Sequence, residues 1–438
     1  MEVINPDGVY IVAAKRTPLV NARGEKITAL QGGDDATRQH SPFFALSSDY
    51  LLAQLFVSMV RETNLNVKDI ADVIVGCVGQ SGEQGANIAR IASLEAGIPA
   101  EVPASTVNRL CASSMEATVL SAERILSGRL FQQYVPEVII AAGVEQMSRY
   151  PIDKVYEPSA AAASFMRQDK ITLAASMGLT AERLVEKFWI TSSDRNERIT
   201  QLKEARQAQD RFAYESHKKA VIAQVSGIFS DEIMPVDLQY GRGILSNDIG
   251  PREYKSEKSA LEALARLSPA FLLSRKGTVT AGNSSPETDG AAALLMMRGE
   301  YALQHGYKPF AEIVSWGTSG IDPTIMGYGP ISATEIALAR ADLGLNDIGL
   351  IELNEAFAAQ ALTVIEKGWN LKADDSRINP NGGAIALGHP LGASGARILT
   401  TLVHELKRRP NVHYGLATMC VGMGQGQAVI VKNMNYQS

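Results

Sequence analysis

Val67-Lys68-Asp69-Ile70-Ala71-Asp72-Val73-Ile74 and Leu345-Asn346-Asp347-Ile348-Gly349-Leu350-Ile351-Glu352 share one pattern, a polar turn running into an apolar stretch, at an offset of 278 residues. The same offset relates Cys111 to His389, Cys77 to Glu355, and Gly143 to Val421 beside Gly422. In each half an apolar run leads to a polar corner, a helical pattern, a second polar corner and a second helical pattern. Each half then closes on a β-rich run, Val138-Ile139-Ile140-Ala141-Ala142-Gly143 or Tyr414-Gly415-Leu416-Ala417-Thr418. Apolar runs alternating with helical patterns read as βαβ units with largely buried sheets. A duplicated unit predicts an α/β fold whose two halves face each other, so that residues at matching corners meet near a pseudo-twofold axis.

Between the halves, residues 148–285 have a different character. Ile199, Leu202, Ala205, Ala208 and Phe212 recur at three- and four-residue spacing, the signal of an amphipathic helix. Gly241-Arg242-Gly243 and Gly250-Pro251 break the pattern. The segment reads as an insertion covering one end of the core. The expected organisation is an N-terminal half over 1–147 and 286–308, the insertion over 148–285, and a C-terminal half over 309–438. Residues 20–47, with Gly32-Gly33-Asp34-Asp35 and few apolar side chains, read as an extended surface loop.

The 438 residues are 45% hydrophobic and 20% charged, the balance of an ordinary globular chain. A net charge of −5 argues against a general nucleic-acid binder. No apolar run approaches the roughly 20 residues that span a bilayer, and Ala291-Ala292-Ala293-Leu294-Leu295-Met296-Met297 suits a buried strand instead. The N-terminus lacks a basic region followed by an apolar stretch, so no signal peptide is expected. Three cysteines are a sparse, odd count that fits a reducing compartment, and the cytoplasm is the expected location.

Four corners carry the candidate chemistry. Cys111, in Asn108-Arg109-Leu110-Cys111-Ala112-Ser113-Ser114-Met115, precedes a helical pattern whose unpaired N–H groups would lower a thiol pKa. Read alone, it is equally compatible with a buried structural thiol. His389 lies between Gly388 and Pro390, with Pro390 suited to a helix opening. An imidazole there can take a thiol proton and donate to an oxyanion, or merely cap a turn. Cys420 leads into Val421-Gly422-Met423-Gly424-Gln425-Gly426, whose freed N–H groups could line an anion-holding concavity or simply form a tight turn. In Leu353-Asn354-Glu355-Ala356-Phe357, Asn354 could hold a water, and Glu355 could orient an imidazole or serve helix electrostatics. No P-loop, dinucleotide fingerprint or paired zinc spacing is present, so no metal site is expected.

Together these corners resemble the thiolases, enzymes that cleave or form 3-oxoacyl-CoA. The likeness runs from Val9 to Val431 and rests on four motifs: Cys111-Ala112-Ser113, Asn354 to Phe357, Gly388-His389-Pro390, and Cys420-Val421-Gly422. The resemblance implies a layered α-β-α-β-α core of duplicated βαβ halves with an inserted CoA-binding loop domain. It implies that Cys111 is the acylated nucleophile, His389 its activator, and Cys420 the second acid/base. His389 with a water on Asn354 would form one oxyanion hole, and the N–H groups of Cys111 and Gly422 the other. Met177, Phe271, Ala281, Ser285 and Phe357 match CoA-contacting positions. Coenzyme A and acyl-CoA would be substrates, with no tightly bound cofactor.

The same resemblance implies a homodimer or homotetramer and leaves room for association with a β-oxidation multifunctional enzyme. Ser176 stands where some members carry histidine, and Met423 replaces the middle glycine of a frequent Gly-Gly-Gly run. The Gly-x-Gly-Gln-Gly variant looks more like degradative members. The implied activity is cleavage of 3-oxoacyl-CoA to acetyl-CoA and a shortened acyl-CoA in β-oxidation. One rival is an acetoacetyl-CoA thiolase working in the condensing direction. Another is a decarboxylating ketosynthase, which typically pairs its cysteine with two histidines. The third is a non-catalytic interaction subunit, expected to have lost one of Cys111, His389 and Cys420.

Overall fold

The computed structural model describes residues 2–22, 41–128, 137–151, 176–272 and 277–437. The first half contains β1 (Val9–Arg16), β2 (Val20–Asn21), α1 (Ser48–Thr63), β3 (Ile70–Gly76), α2 (Ile88–Glu95), β4 (Ala104–Val107), α3 (Ser113–Ser127) and β5 (Val138–Gln146). There follow α4 (Met177–Phe188), α5 (Arg195–Val225), the hairpin strands β6 (Val236–Asp237) and β7 (Ile244–Leu245), and α6 (Glu257–Ala265). The chain returns through β8 (Thr288–Arg298) and α7 (Gly299–His305). The second half contains β9 (Ala311–Gly320), α8 (Gly329–Ala341), β10 (Ile348–Leu353), α9 (Ala358–Leu362), α10 (Ala384–Leu387), α11 (Ser394–Arg408), β11 (Tyr414–Val421) and β12 (Gln425–Asn433).

The 278-residue repeat is a repeat of structure. Strands β3 and β10 begin at Ile70 and Ile348, one offset apart. Helices α1 and α8 both end on left-handed residues, Asn64 at φ 53° and Asp342 at φ 54°, again one offset apart. Both are short polar side chains that tolerate this conformation. The sheet order β10-β11-β12-β9-β1-β8-β5-β3-β4 is nearly a palindrome, with β10, β11, β12 and β9 mirroring β3, β5, β8 and β1. The halves join where β1 and β9 pair antiparallel, Tyr10 with Glu312 and Ile11 with Ala311. Among the described residues edge strand β4 has no strand counterpart; on that side of β10, Ile351 makes an isolated bridge to Ile378.

Side-chain alternation along the strands sorts the core into layers. One face of the first half, including Val73, Val75 and Val138, packs with Leu52, Phe56 and Ile88 of α1 and α2. The opposite face, including Ile74 and Ile139, meets the inner face of the second half through Met115, Ile398 and Leu402 of α3 and α11. The outer face of the second half, with Ile351, Leu416 and Ile430, packs on Ala333 and Ala337 of α8. The sequence of layers is α-β-α-β-α, with α3 and α11 sandwiched in the middle. Leu294 to Met297 in β8 are fully buried, as their uninterrupted apolar run requires.

Three local expectations change. Helix α5 exists, but its buried stripe is Ala205, Gln209, Ala213, Ser216, Ala220 and Ala223, while Ile199 is exposed. Small and polar side chains face inward because α5 lies close to α10 and α9, where bulk would not fit. Within the expected loop over 20–47, residues 23–40 lie outside the described residues, but Phe43 and Leu46 are buried in the core. Pro390 does not open α11: a 3-10 turn over Leu391–Ala393 intervenes.

Candidate active site

Cys111 sits between β4 and α3, held by a tight polar turn. Ser113 Oγ accepts from the Arg109 N–H at 3.0 Å and donates to the Leu110 carbonyl at 2.6 Å. Asn108 Oδ1 accepts from the Leu110 N–H at 2.8 Å. Leu110 itself is left-handed at φ 47°, a strained conformation for a branched side chain. The serine of the Cys-Ala-Ser stretch is thus the clamp that presents the thiol. Although Cys111 keeps some exposure, burial pushes its thiol up to about 11, and the Gly422 and Cys111 N–H groups oppose that rise. The helix-start position therefore does not by itself yield a thiolate; a base must take the proton.

Cys420 lies on β11, 1% exposed, and burial with the nearby Cys111 thiol pushes it well above the ordinary range. Gly422 follows it, and a Cβ there would lie 3.1 Å from Leu110 Cδ1 and 3.6 Å from Met177 Sδ. Its N–H contacts the Cys111 thiol, from a position with little room for a side chain.

His389 is 6% exposed and anchored at two points. Its backbone N–H donates to Thr288 Oγ1 at 3.0 Å, and its Nδ1 lies 2.6 Å from Ser394 Oγ. Ser394 donates its own hydroxyl proton to the Pro390 carbonyl at 3.1 Å. Its oxygen is left to accept, so Nδ1 carries the ring proton and Nε2 is the basic nitrogen. Burial, reinforced by Arg397, lowers the imidazole to about 3, so it rests neutral. Asn354 Nδ2 lies 3.5 Å from that Nε2, while Asn354 Oδ1 is buried with no hydrogen-bond partner among the described residues.

Glu355 does not touch the imidazole, and it lies ahead of α9 rather than in its first turn. Its carboxylate accepts from Ser216 Oγ at 2.7 Å, Asn379 Nδ2 at 2.8 Å and the Ile385 N–H at 3.2 Å. It pins α10, the turn leading to His389, and a Cβ on Gly383 would collide with it at 2.2 Å.

The two halves meet at the starts of α3 and α11. Ser114 Oγ accepts from the Ala396 N–H at 2.9 Å, and a Cβ on Gly395 would lie 2.4 Å from the Met115 nitrogen. This close approach brings together the corners bearing Cys111 and His389. Beside Cys420, Met177 and Phe357 share one apolar cluster. Phe271 stacks edge-on against Phe357 at 5.9 Å and lies over Gly178. Ser285 donates through Oγ to the Ala356 carbonyl at 3.0 Å, and Ala281 is exposed on the same loop. Among the described residues no group of three or more His, Cys, Asp or Glu could hold a metal.

The family model for the thiolase N-terminal domain matches residues 36–300, and that for the C-terminal domain matches 307–433. The chain belongs to the thiolase family. It is 42% identical to a 3-ketoacyl-CoA thiolase of Photorhabdus laumondii over 432 residues, covering 98% of this chain and 100% of the relative. A 3-ketoacyl-CoA thiolase of Serratia proteamaculans is 41% identical over 430 residues, again covering 98% and 100%. The crystal structure of the Bacillus anthracis acetyl-CoA acetyltransferase superposes with a TM-score of 0.79 at 34% identity, covering 97% of this chain and 98% of that one.

Sequence reasoning passed over several residues of this thiolase site. Thr288 and Ser394 set the position and tautomer of His389, yet neither lies inside the short His-Pro motif. Glu182 on α4 accepts from the Thr278 N–H at 2.8 Å and the Val279 N–H at 2.9 Å, fixing the loop that carries Ala281 and Ser285. Its signal was a lone carboxylate on the inward face of an amphipathic helix, where it is 7% exposed.

Proposed function

We propose that this thiolase cleaves 3-oxoacyl-CoA to acetyl-CoA and an acyl-CoA two carbons shorter, as a degradative enzyme of β-oxidation. The names of its 3-ketoacyl-CoA thiolase relatives support the direction and substrate class. The site residues take the following roles. His389 Nε2 accepts the Cys111 proton as the sulfur attacks the 3-oxo carbon, and the oxyanion forms against the Cys111 and Gly422 N–H groups that lie at that sulfur. The C2–C3 bond breaks, and the acetyl-CoA enolate is protonated by Cys420. CoA then gives its thiol proton to Cys420 and attacks the acyl-cysteine, whose oxyanion is stabilised the same way; the bond to Cys111 breaks and its thiolate takes back the proton held by His389. His389 and a water held by Asn354 hold the enolate oxygen.

The observation that carries this reading is the placement of His389, with Nδ1 2.6 Å from Ser394 Oγ and Nε2 3.5 Å from Asn354 Nδ2, which assigns Nε2 as the base. Three buried groups, two neutral thiols and a neutral imidazole, can exchange protons without an unpaired charge at rest. Met177, Phe271, Ala281, Ser285 and Phe357 line the approach for CoA, on the inserted segment 148–285 and on the Asn354–Phe357 turn. The halves over 1–147 with 286–308 and over 309–438 supply the nucleophile and the bases respectively. The enzyme works in the cytoplasm as a homodimer or homotetramer, without a resident cofactor. Among the described residues no helix is long and apolar enough to cross a membrane.

Thiolysis rates on 3-oxoacyl-CoA substrates of increasing chain length test the proposal. Activity across medium and long chains supports it; a steep preference for acetoacetyl-CoA would favour the condensing rival instead.

A further inference from the structure

Strand β5 reads Val-Ile-Ile-Ala-Ala-Gly-Val-Glu-Gln and is buried from end to end. A carboxylate in such a strand is costly unless donors surround it. Glu145 has four. Oε1 accepts from the Gly79 N–H at 2.9 Å and from Gln84 Nε2 at 3.3 Å. Oε2 accepts from the Val78 N–H at 3.0 Å and from the Gly392 N–H at 2.9 Å. One oxygen is thus shared between the loop that leaves β3 in the first half and the loop that carries His389 in the second. Every partner is an N–H, so a carboxylate satisfies them all. Burial pushes Glu145 upward, and these backbone donors pull it back.

We infer that Glu145 is a positioning residue for His389, clasping the imidazole-bearing loop of one half to the β3 exit of the other. The inference rests on the thiolase reading above and adds a residue to it. Gly392 lies three residues beyond His389 in a compact turn, with the Ala393 N–H donating to the Pro390 carbonyl at 2.7 Å. A shift at Gly392 therefore reaches the ring through Pro390 and Ser394. The loop is seated on the backbone of Cys77 and Val144 and on the Glu145 carboxylate. A Cβ on Gly392 would lie 2.9 Å from both Cys77 Cα and Glu145 Oε2, and a Cβ on Gly143 would lie 2.4 Å from the Gly392 carbonyl oxygen. Glu145 is also close enough to Cys111 to oppose thiolate formation. One carboxylate touches the surroundings of both reacting groups.

The test compares acetoacetyl-CoA thiolysis by the wild type, Glu145→Gln, Glu145→Asp and Gly392→Ala, with rapid-quench intact-mass measurement of acyl-Cys111. The amide of Glu145→Gln turns N–H groups toward N–H donors, so the His389 loop shifts. The expected result is a fall in kcat and in acylation rate of about 10²-fold, the scale of a one-ångström misplacement. KM for acetoacetyl-CoA and for CoA stays within about 3-fold, because substrate contacts are untouched. Glu145→Asp recovers part of the rate. Gly392→Ala keeps the carboxylate but lifts the loop from it, and should lose kcat to a similar degree; it decides the matter if Glu145→Gln does not fold. A folded Glu145→Gln with wild-type kcat, a loss confined to KM, or a fully active Gly392→Ala would overturn the inference. Failure of the wild type itself to become acylated would sink the parent thiolase reading, and the inference with it.

Discussion

Ser394 Oγ stands 2.6 Å from His389 Nδ1 and spends its own proton on the Pro390 carbonyl, so the serine dictates which nitrogen of the imidazole is basic. Removing the hydroxyl frees the ring to adopt the opposite tautomer, with a proton on the nitrogen that must accept one. Ser394→Ala should lower kcat by about 10- to 100-fold, with KM for CoA little changed. Steady-state thiolysis of acetoacetyl-CoA measures this directly. An unaltered kcat would mean that another group fixes the tautomer.

The two thiols proposed to react should separate cleanly by mass spectrometry. Cys111→Ala should show no acyl adduct and no turnover after incubation with acetoacetyl-CoA. An acylated Cys111→Ala protein would remove Cys111 as nucleophile. Cys420→Ala should still accept the acyl group but release it slowly, losing about 10²- to 10⁴-fold in turnover with the proton donor gone. Normal turnover in that variant would end the acid/base role of Cys420.

Much of this was legible in the sequence because duplication writes a long-range contact as a constant offset. The 278-residue spacing holds for strand starts, for the left-handed caps Asn64 and Asp342, and for Cys111 and His389. The corners were legible because glycine and small polar residues mark them. What the sequence concealed was the second tier of polar contacts. Glu355 looked like a partner for an imidazole, but its donors come from α5, from Asn379 and from α10, which only the tertiary packing brings together. Ser394 and Thr288 are 106 residues apart and converge on one histidine. Helix α5 was legible only in part: Ala205 is buried, but Ile199 is exposed and the centre of the buried stripe is alanine and serine. Leu202 and Phe212 do pack on apolar clusters at the edge of that stripe, so of the bulky positions Ile199, Leu202 and Phe212 only Ile199 is exposed.

Glu182 separates binding from chemistry. Its carboxylate takes the Thr278 and Val279 N–H groups, and both bonds go to the loop and not to a thiol. Glu182→Gln loosens the loop that presents Ala281 and Ser285. KM for CoA should rise by about 10-fold while kcat at saturation changes little. Initial rates over a CoA titration decide it; a fall in kcat with unchanged KM would place Glu182 in the catalytic machinery instead.

Acid should destabilise the fold through two buried imidazoles. Burial lowers both His389 and His217 to about 3, against an ordinary 6.5. His217 Nδ1 accepts from the Arg252 N–H at 3.1 Å, a bond that needs the neutral ring. Between those two pH values the unfolded chain binds protons that the folded chain refuses. The stability is therefore fully present above about pH 6.5 and drains away as pH falls toward 3. Each imidazole can contribute a slope of up to about 1.4 kcal/mol per pH unit in that window. His217→Gln keeps an acceptor for Arg252 but has no proton to take up. Its urea midpoint should fall less steeply than that of the wild type between pH 6.5 and 4, and should converge with a parallel trend above pH 7. Equal slopes on acidification would show that His217 is already protonated in the folded protein, which the Arg252 contact argues against.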